Sequence, residues 1–119
     1  MRYPLGETKG DLMLTCIIKY HIDPTKREQF DQYARTWGQA IPRCGADLIG
    51  YFSPHEGSST LAYGIYNTPS LSAYESYRAR LAADPLGQEN YAFAQKEKFL
   101  LREDRTFLTL ASAPHGDPA

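Results

Sequence analysis

The sequence predicts an α+β domain, and three observations carry that prediction. Residues Met13 to His21 are apolar at nearly every second position and carry further apolar residues between them, the pattern of a strand buried on both faces. Asp23-Pro24 follows, and then an apolar stripe at steps of three and four, Phe30, Tyr33, Ala34, Trp37 and Ile41, the spacing of a helix laid on a sheet. The same alternation returns after Thr60, where a second strand pattern leads into a helix opened by Ser70.

Each element has a local cause. In the first strand Leu14, Cys16, Ile18 and Tyr20 share one face, and Met13, Thr15, Ile17, Lys19 and His21 the other. Asp23 can accept from free backbone N–H groups while Pro24 loses nothing at the first helical position, so helix one is expected from Pro24 to about Ile41. Pro42 and Gly45 should end it. Strand two is expected from Asp47 to Ser53, with Leu48, Gly50 and Phe52 opposing Ile49 and Tyr51. Pro54-His55-Glu56-Gly57-Ser58-Ser59 is turn chemistry, joining strand two to strand three in a hairpin.

Strand three, about Thr60 to Tyr66, sets Leu61, Tyr63 and Ile65 against Ala62, Gly64 and Tyr66. Gly64 weakens a strand unless something approaches closely there. Helix two carries Leu71, Tyr74, Tyr77, Arg78 and Leu81 on a common face. Asp84-Pro85 repeats the Asp-Pro start and opens a short third helix through Tyr91, Phe93 and Ala94. The last strand, Phe99 to Leu110, has a charged centre, Arg102-Glu103-Asp104-Arg105, where a bend or bulge is expected.

Strand, helix, strand, strand, helix, strand, with one extra helix before the last strand, describes two right-handed crossovers. They give an antiparallel four-stranded sheet with helices on one face, the ferredoxin-like βαββαβ arrangement. With helices on one side only, the two-sided first strand would leave an apolar patch exposed. Packing the bare faces of two copies together resolves this, so a homodimer with helices outside is expected. Cover by the terminal tails or by the third helix is the alternative.

The chain has 119 residues, enough for one domain, expected over residues 12–111, and its ends at 1–11 and 112–119 are rich in proline and glycine and read as flexible tails. Thirteen basic and 14 acidic residues are mixed along the chain, which argues against nucleic-acid binding or a polybasic membrane anchor. The opening stretch MRYPLGETKGD contains no apolar h-region and no eighteen consecutive apolar residues occur, so a cytoplasmic location is expected. Cys16 and Cys44 have no CxxC spacing, and Cys16 lies in an apolar run, so buried thiols are expected over a disulfide or a reactive role.

The stretches TCIIKYHIDP, TWGQAIPRCGA, LIGYFSPHEG, SLSAYESYRARLAADP and AFAQKEKFLLREDRTFL together resemble the NIPSNAP family. The resemblance spans about Met13 to Leu110. It implies a ferredoxin-like fold paired into a dimeric α/β barrel, and no settled enzymatic reaction. The wider set of such barrels includes cofactor-independent monooxygenases, haem-degrading enzymes, lactone isomerases and aldoxime dehydratases, an analogy of fold alone.

A pocket between helices and sheet is the expected site. Ala62 and Gly64 leave room, and Trp37, Phe52, Tyr63 and Tyr66, with Tyr33, are the expected ligand-binding residues; the alternative is that they are ordinary core or dimer interface. His55 and Glu56 are the expected proton-handling pair, His55 because it titrates near neutrality and Glu56 because it could orient it. Arg43 and Arg102, each flanked by apolar sequence, are expected to be semi-buried and to hold a carboxylate or enolate-like oxygen, unless they serve in ion pairs or helix caps. No metal is expected, because His21, His55 and His115 are far apart and no HxH or HExxH occurs. GxSxG, GxGxxG and GxxxxGK are absent as well, so neither nucleophile elbow nor phosphate cradle is expected, nor any cofactor.

These residues point to a homodimer that binds a small apolar or aromatic molecule, with cofactor-independent monooxygenase or isomerase chemistry as its catalytic form. The alternative is a non-catalytic dimeric module that recruits another protein through its surface.

Overall fold

The computed structural model describes residues 13–112 and residue 114. The elements are β1 (Leu14–Ile22), a 3-10 turn (Pro24–Lys26), α1 (Arg27–Arg43), β2 (Asp47–Phe52), β3 (Leu61–Thr68), α2 (Leu71–Ala83), α3 (Pro85–Glu97) and β4 (Leu100–Thr109). The strands form one antiparallel sheet in the order β2-β3-β1-β4, the ferredoxin-like arrangement with α3 as the extra helix. Apart from residues 112 and 114, the expected tails lie outside the described residues.

The helix starts follow their capping chemistry. Asp23 accepts from the Thr25 backbone N–H at 3.0 Å, although the first turn is 3-10 rather than α. Ser70 accepts from Ala73 N–H at 3.0 Å and Asp84 from Gly87 N–H at 3.0 Å. The helix ends correct two expectations. α1 runs through Pro42 to Arg43, because Pro42 sits in the last turn and both it and Gly38 are exposed, so the carbonyl left without a donor faces water. α3 is longer than expected and stops at Lys98, whose φ of 55° is left-handed. Long cations tie these ends to their neighbours: Lys26 Nζ donates to the Glu97 carbonyl at 2.5 Å, and Arg80 Nε to the Cys44 carbonyl at 2.7 Å.

On β1 the faces separate as the alternation predicts. Cys16, Ile18, Tyr20 and Ile22 are buried against Phe30, Tyr33, Trp37 and Ile41 of α1, Tyr77 and Leu81 of α2, and Phe99. Both cysteines are free and buried. The opposite face carries Ile17, Leu61, Tyr63 and Ile65, with Phe52 and Leu108 about half exposed.

Two register details differ from the sequence expectation. A bulge between Leu48 and Gly50 puts Leu48 and Tyr51 with the core and Phe52 on the other face, which strict alternation cannot do. In β4 the irregularity falls at His21/Ile22, before the charged centre, which pairs regularly with β1. No break is needed there, because residues two apart share a face: Arg102 pairs with Asp104 and Arg105 with Glu103, each at 3.0 Å.

Candidate functional site: an aromatic cleft beneath two arginines

The sheet's helix face is lined with rings. Tyr20 from β1, Tyr33 and Trp37 from α1, Tyr51 from β2, Tyr66 from β3 and Tyr77 from α2 surround a narrow cleft, whose mouth carries Arg78, Tyr91, Glu103 and Arg105. Its free volume is about 20 Å³, room for one water-sized group. Edge contacts set the walls: Tyr33 and Trp37 have ring centres 5.5 Å apart, and Trp37 and Tyr91 5.0 Å.

The hydroxyls in this apolar lining fall into two states. Tyr20 and Tyr51 share a hydrogen bond at 2.9 Å. The Tyr66 hydroxyl, on a residue only 1% exposed, has no hydrogen-bond partner. Beside it in the β1–β3 register stands Cys16, whose thiol pKa is raised by burial although Tyr66 and Arg105 counter that effect. Burial pushes Tyr33 up to about 12 and holds Tyr20, Tyr51, Tyr66 and Tyr77 above their ordinary range as well. At neutral pH these phenols are hydrogen-bond donors and not bases.

The charges at the mouth are unevenly matched. Arg105 donates to Glu103 at 3.0 Å, with side chains 28% and 35% exposed. Half-buried Arg78 has no carboxylate at ion-pair distance among the described residues. An open groove of about 580 Å³ adjoins the cleft, running over Ala94, Gln95, Lys98, Leu100 and Leu101. Cleft and groove share Tyr33, Tyr91 and Glu103. Among the described residues no three His, Cys, Asp or Glu side chains gather to hold a metal.

Of the residues singled out in the sequence, Trp37 and Tyr66 line the cleft, together with Tyr33. Tyr63 and Phe52 lie on the opposite sheet face, and the room over Gly64 is filled by Tyr51, whose ring a Cβ there would meet at 2.6 Å. His55 and Glu56 are exposed in the loop between β2 and β3, lining neither cleft nor groove. The expected semi-burial of Arg43 and Arg102 does not hold, since their side chains are 54% and 69% exposed. Arg43 clamps both oxygens of Asp84, at 2.6 and 2.7 Å, where that residue caps α3, and Arg102 pairs on the face away from the helices. Outward charges find partners easily because water has already solvated them.

The cleft arginines were the residues that sequence reasoning passed over. Their signals were present: Arg78 shares a helix face with Tyr74, Tyr77 and Leu81, and Arg105 lies opposite Ile18 across the ladder.

Comparison with known proteins agrees with this architecture. A NIPSNAP family protein with unknown function from Agrobacterium tumefaciens superposes with a TM-score of 0.73 at 20% identity, covering 89% of this chain and 96% of that one. An uncharacterised NIPSNAP-like domain protein from Burkholderia xenovorans gives 0.69 at 26% identity, covering 91% and 94%. A Bacteroides thetaiotaomicron protein of unknown function, described as a possible oxidoreductase, gives 0.63 at 9% identity, covering 84% and 99%, a likeness of fold alone. No curated protein matches in sequence. The family profile of NIPSNAP proteins matches residues 15–114, most of the chain, and this protein belongs to the NIPSNAP family.

Proposed function

We propose that this protein is a homodimer that binds a small apolar or aromatic molecule between its helices and its sheet. The observation that carries the reading is the continuity of the aromatic cleft with the larger groove through Tyr33, Tyr91 and Glu103. A ring-lined slot that opens between charged groups onto a groove of about 580 Å³ has the character of a small-molecule site. Dimerisation through the open sheet face would cover Ile17, Tyr63 and Ile65 and the half-exposed Phe52 and Leu108, which a soluble monomer would leave to water.

The catalytic form of this reading is isomerisation of a carbonyl compound without a cofactor. With a β,γ-unsaturated carbonyl compound as substrate, the Glu103 carboxylate takes a proton from the carbon between the carbonyl and the C=C. The C–H pair forms a new C=C as the carbonyl π pair moves onto the oxygen near Arg78, and on collapse of that dienolate the same carboxyl returns the proton to the far carbon of the original double bond. Cofactor-independent oxygenation would begin from the same enolate with dioxygen as second substrate.

Saturation-transfer NMR with naphthalene as a neutral probe tests binding, with transfer expected and lost when Tyr91, which lines the groove and is partly exposed, is changed to Ala. No transfer from any neutral aromatic would sink the reading. Sedimentation velocity at low micromolar concentration should give twice the 13.4 kDa chain mass, and a single monomeric species would remove the dimer.

A further inference from the structure

We propose that the ligand of this cleft carries an anionic oxygen, a carboxylate or an enolate, which enters the void beside Tyr66 and is held by Arg78 and Arg105. The inference rests on the small-molecule reading above and specifies the ligand's chemistry. Tyr66 presents a hydroxyl that is fully buried and among the described residues makes no hydrogen bond of ordinary geometry, with the Cys16 thiol and the Tyr77 hydroxyl as polar neighbours. A donor kept dry without an acceptor is unfavourable, and a ligand oxygen in the void supplies that acceptor.

Charge points the same way. Arg27, Arg43 and Arg102 stand in solvent, each paired with an aspartate. Arg78 is half-buried at the mouth of the cleft and has no such partner among the described residues, while Arg105 shares the single carboxylate of Glu103. Two guanidinium groups against one carboxylate leave a positive charge over the void, and guanidinium is the side chain best suited to a planar oxyanion.

Size completes the assignment. About 20 Å³ admits one oxygen-sized group and no ring, whereas the adjoining groove of about 580 Å³ holds the rest of an aromatic or apolar acid. The oxygen is therefore placed in the cleft and the body along Tyr91, Ala94 and Leu101.

The test is a pair of near-isosteric probes, benzoate and benzamide, titrated against the fluorescence of Trp37, the chain's single tryptophan. Benzoate should bind about ten-fold more tightly than benzamide, the difference expected for hydrogen bonds to a charged group. Arg78→Met should abolish that preference by weakening benzoate far more than benzamide. Tyr66→Phe should weaken benzoate several-fold without lowering the melting temperature, because it removes only a hydroxyl that has no partner. Equal affinity for the two probes, or a preference that survives both substitutions, overturns the inference. If naphthalene binds and benzoate does not, the anion assignment fails and the small-molecule reading stands. If none of the three binds, both fail.

Discussion

The loop between β2 and β3 and the cleft beneath the helices invert what each suggests as sequence. The loop holds His55 beside Glu56, a proton-handling pair by composition, yet both side chains are exposed and touch neither cavity. The cleft holds no histidine and matches no motif, yet it gathers two arginines, a buried unpartnered hydroxyl and a wall of rings. Reactivity depends on exclusion of water and convergence of groups, and an exposed loop supplies neither.

The largest effect that sharpens this comparison is in the packing behind the cleft wall. Phe30 is fully buried and its ring contacts Tyr20, Tyr33, Tyr51 and Phe99, so Phe30→Ala should cost about 3–5 kcal/mol in urea unfolding. A cost below about 1 kcal/mol would mean that the wall is loosely packed, as a loop is.

Next comes alkaline pH. Burial raises Tyr33 from 10.0 to about 12, so between those values the folded chain keeps a proton that the unfolded chain has released. The contribution of this group should be level below pH 10 and fall by about 2–3 kcal/mol as pH rises toward 12, added to an earlier decline above pH 9 from the buried thiols. Urea midpoints that stay level across that window would show the phenol to be solvated.

Gly64→Ala should cost about 1–3 kcal/mol, since the new methyl would push the Tyr51 ring off its bond to Tyr20, and a thermal melt reads it. Smallest of all, His55→Ala and Glu56→Ala should each stay within about 0.5 kcal/mol of the parent and leave benzoate affinity unchanged. Weakened benzoate binding in either variant would break the comparison and bring the loop into the site.

Much of the fold was legible because its causes are local. Asp23-Pro24, Ser70 and Asp84-Pro85 start helices at the residues expected, and the alternation of β1 and β3 sorts their faces correctly. The bulge in β2 was not legible. Pairing of Leu48 with Tyr66 and of Gly50 with Ile65 skips Ile49, and the skip falls beside Gly50, whose φ is 157°, so a glycine within β2 permits it while the register with β3 fixes its place.

The site was legible only in part, for the same reason. Trp37 and Tyr66 could be assigned to the core side from periodicity, and they line the cleft. Arg43 looks in sequence much like Arg78, each a cation beside apolar residues, and Arg102 and Arg105 belong to the same charged stretch. What separates them is which side of an element faces the helices, and whether an aspartate stands within reach.

By itself, then, the sequence determined the order of strands and helices, their caps and the faces of β1 and β3, because backbone hydrogen bonding and side-chain period act over a few residues. The tertiary structure alone decided that Tyr51 fills the space over Gly64, that Tyr66 is left without a partner, and that arginines from α2 and β4 meet above it. Those outcomes depend on packing between residues tens of positions apart, where volume and charge are settled only once the helices lie on the sheet.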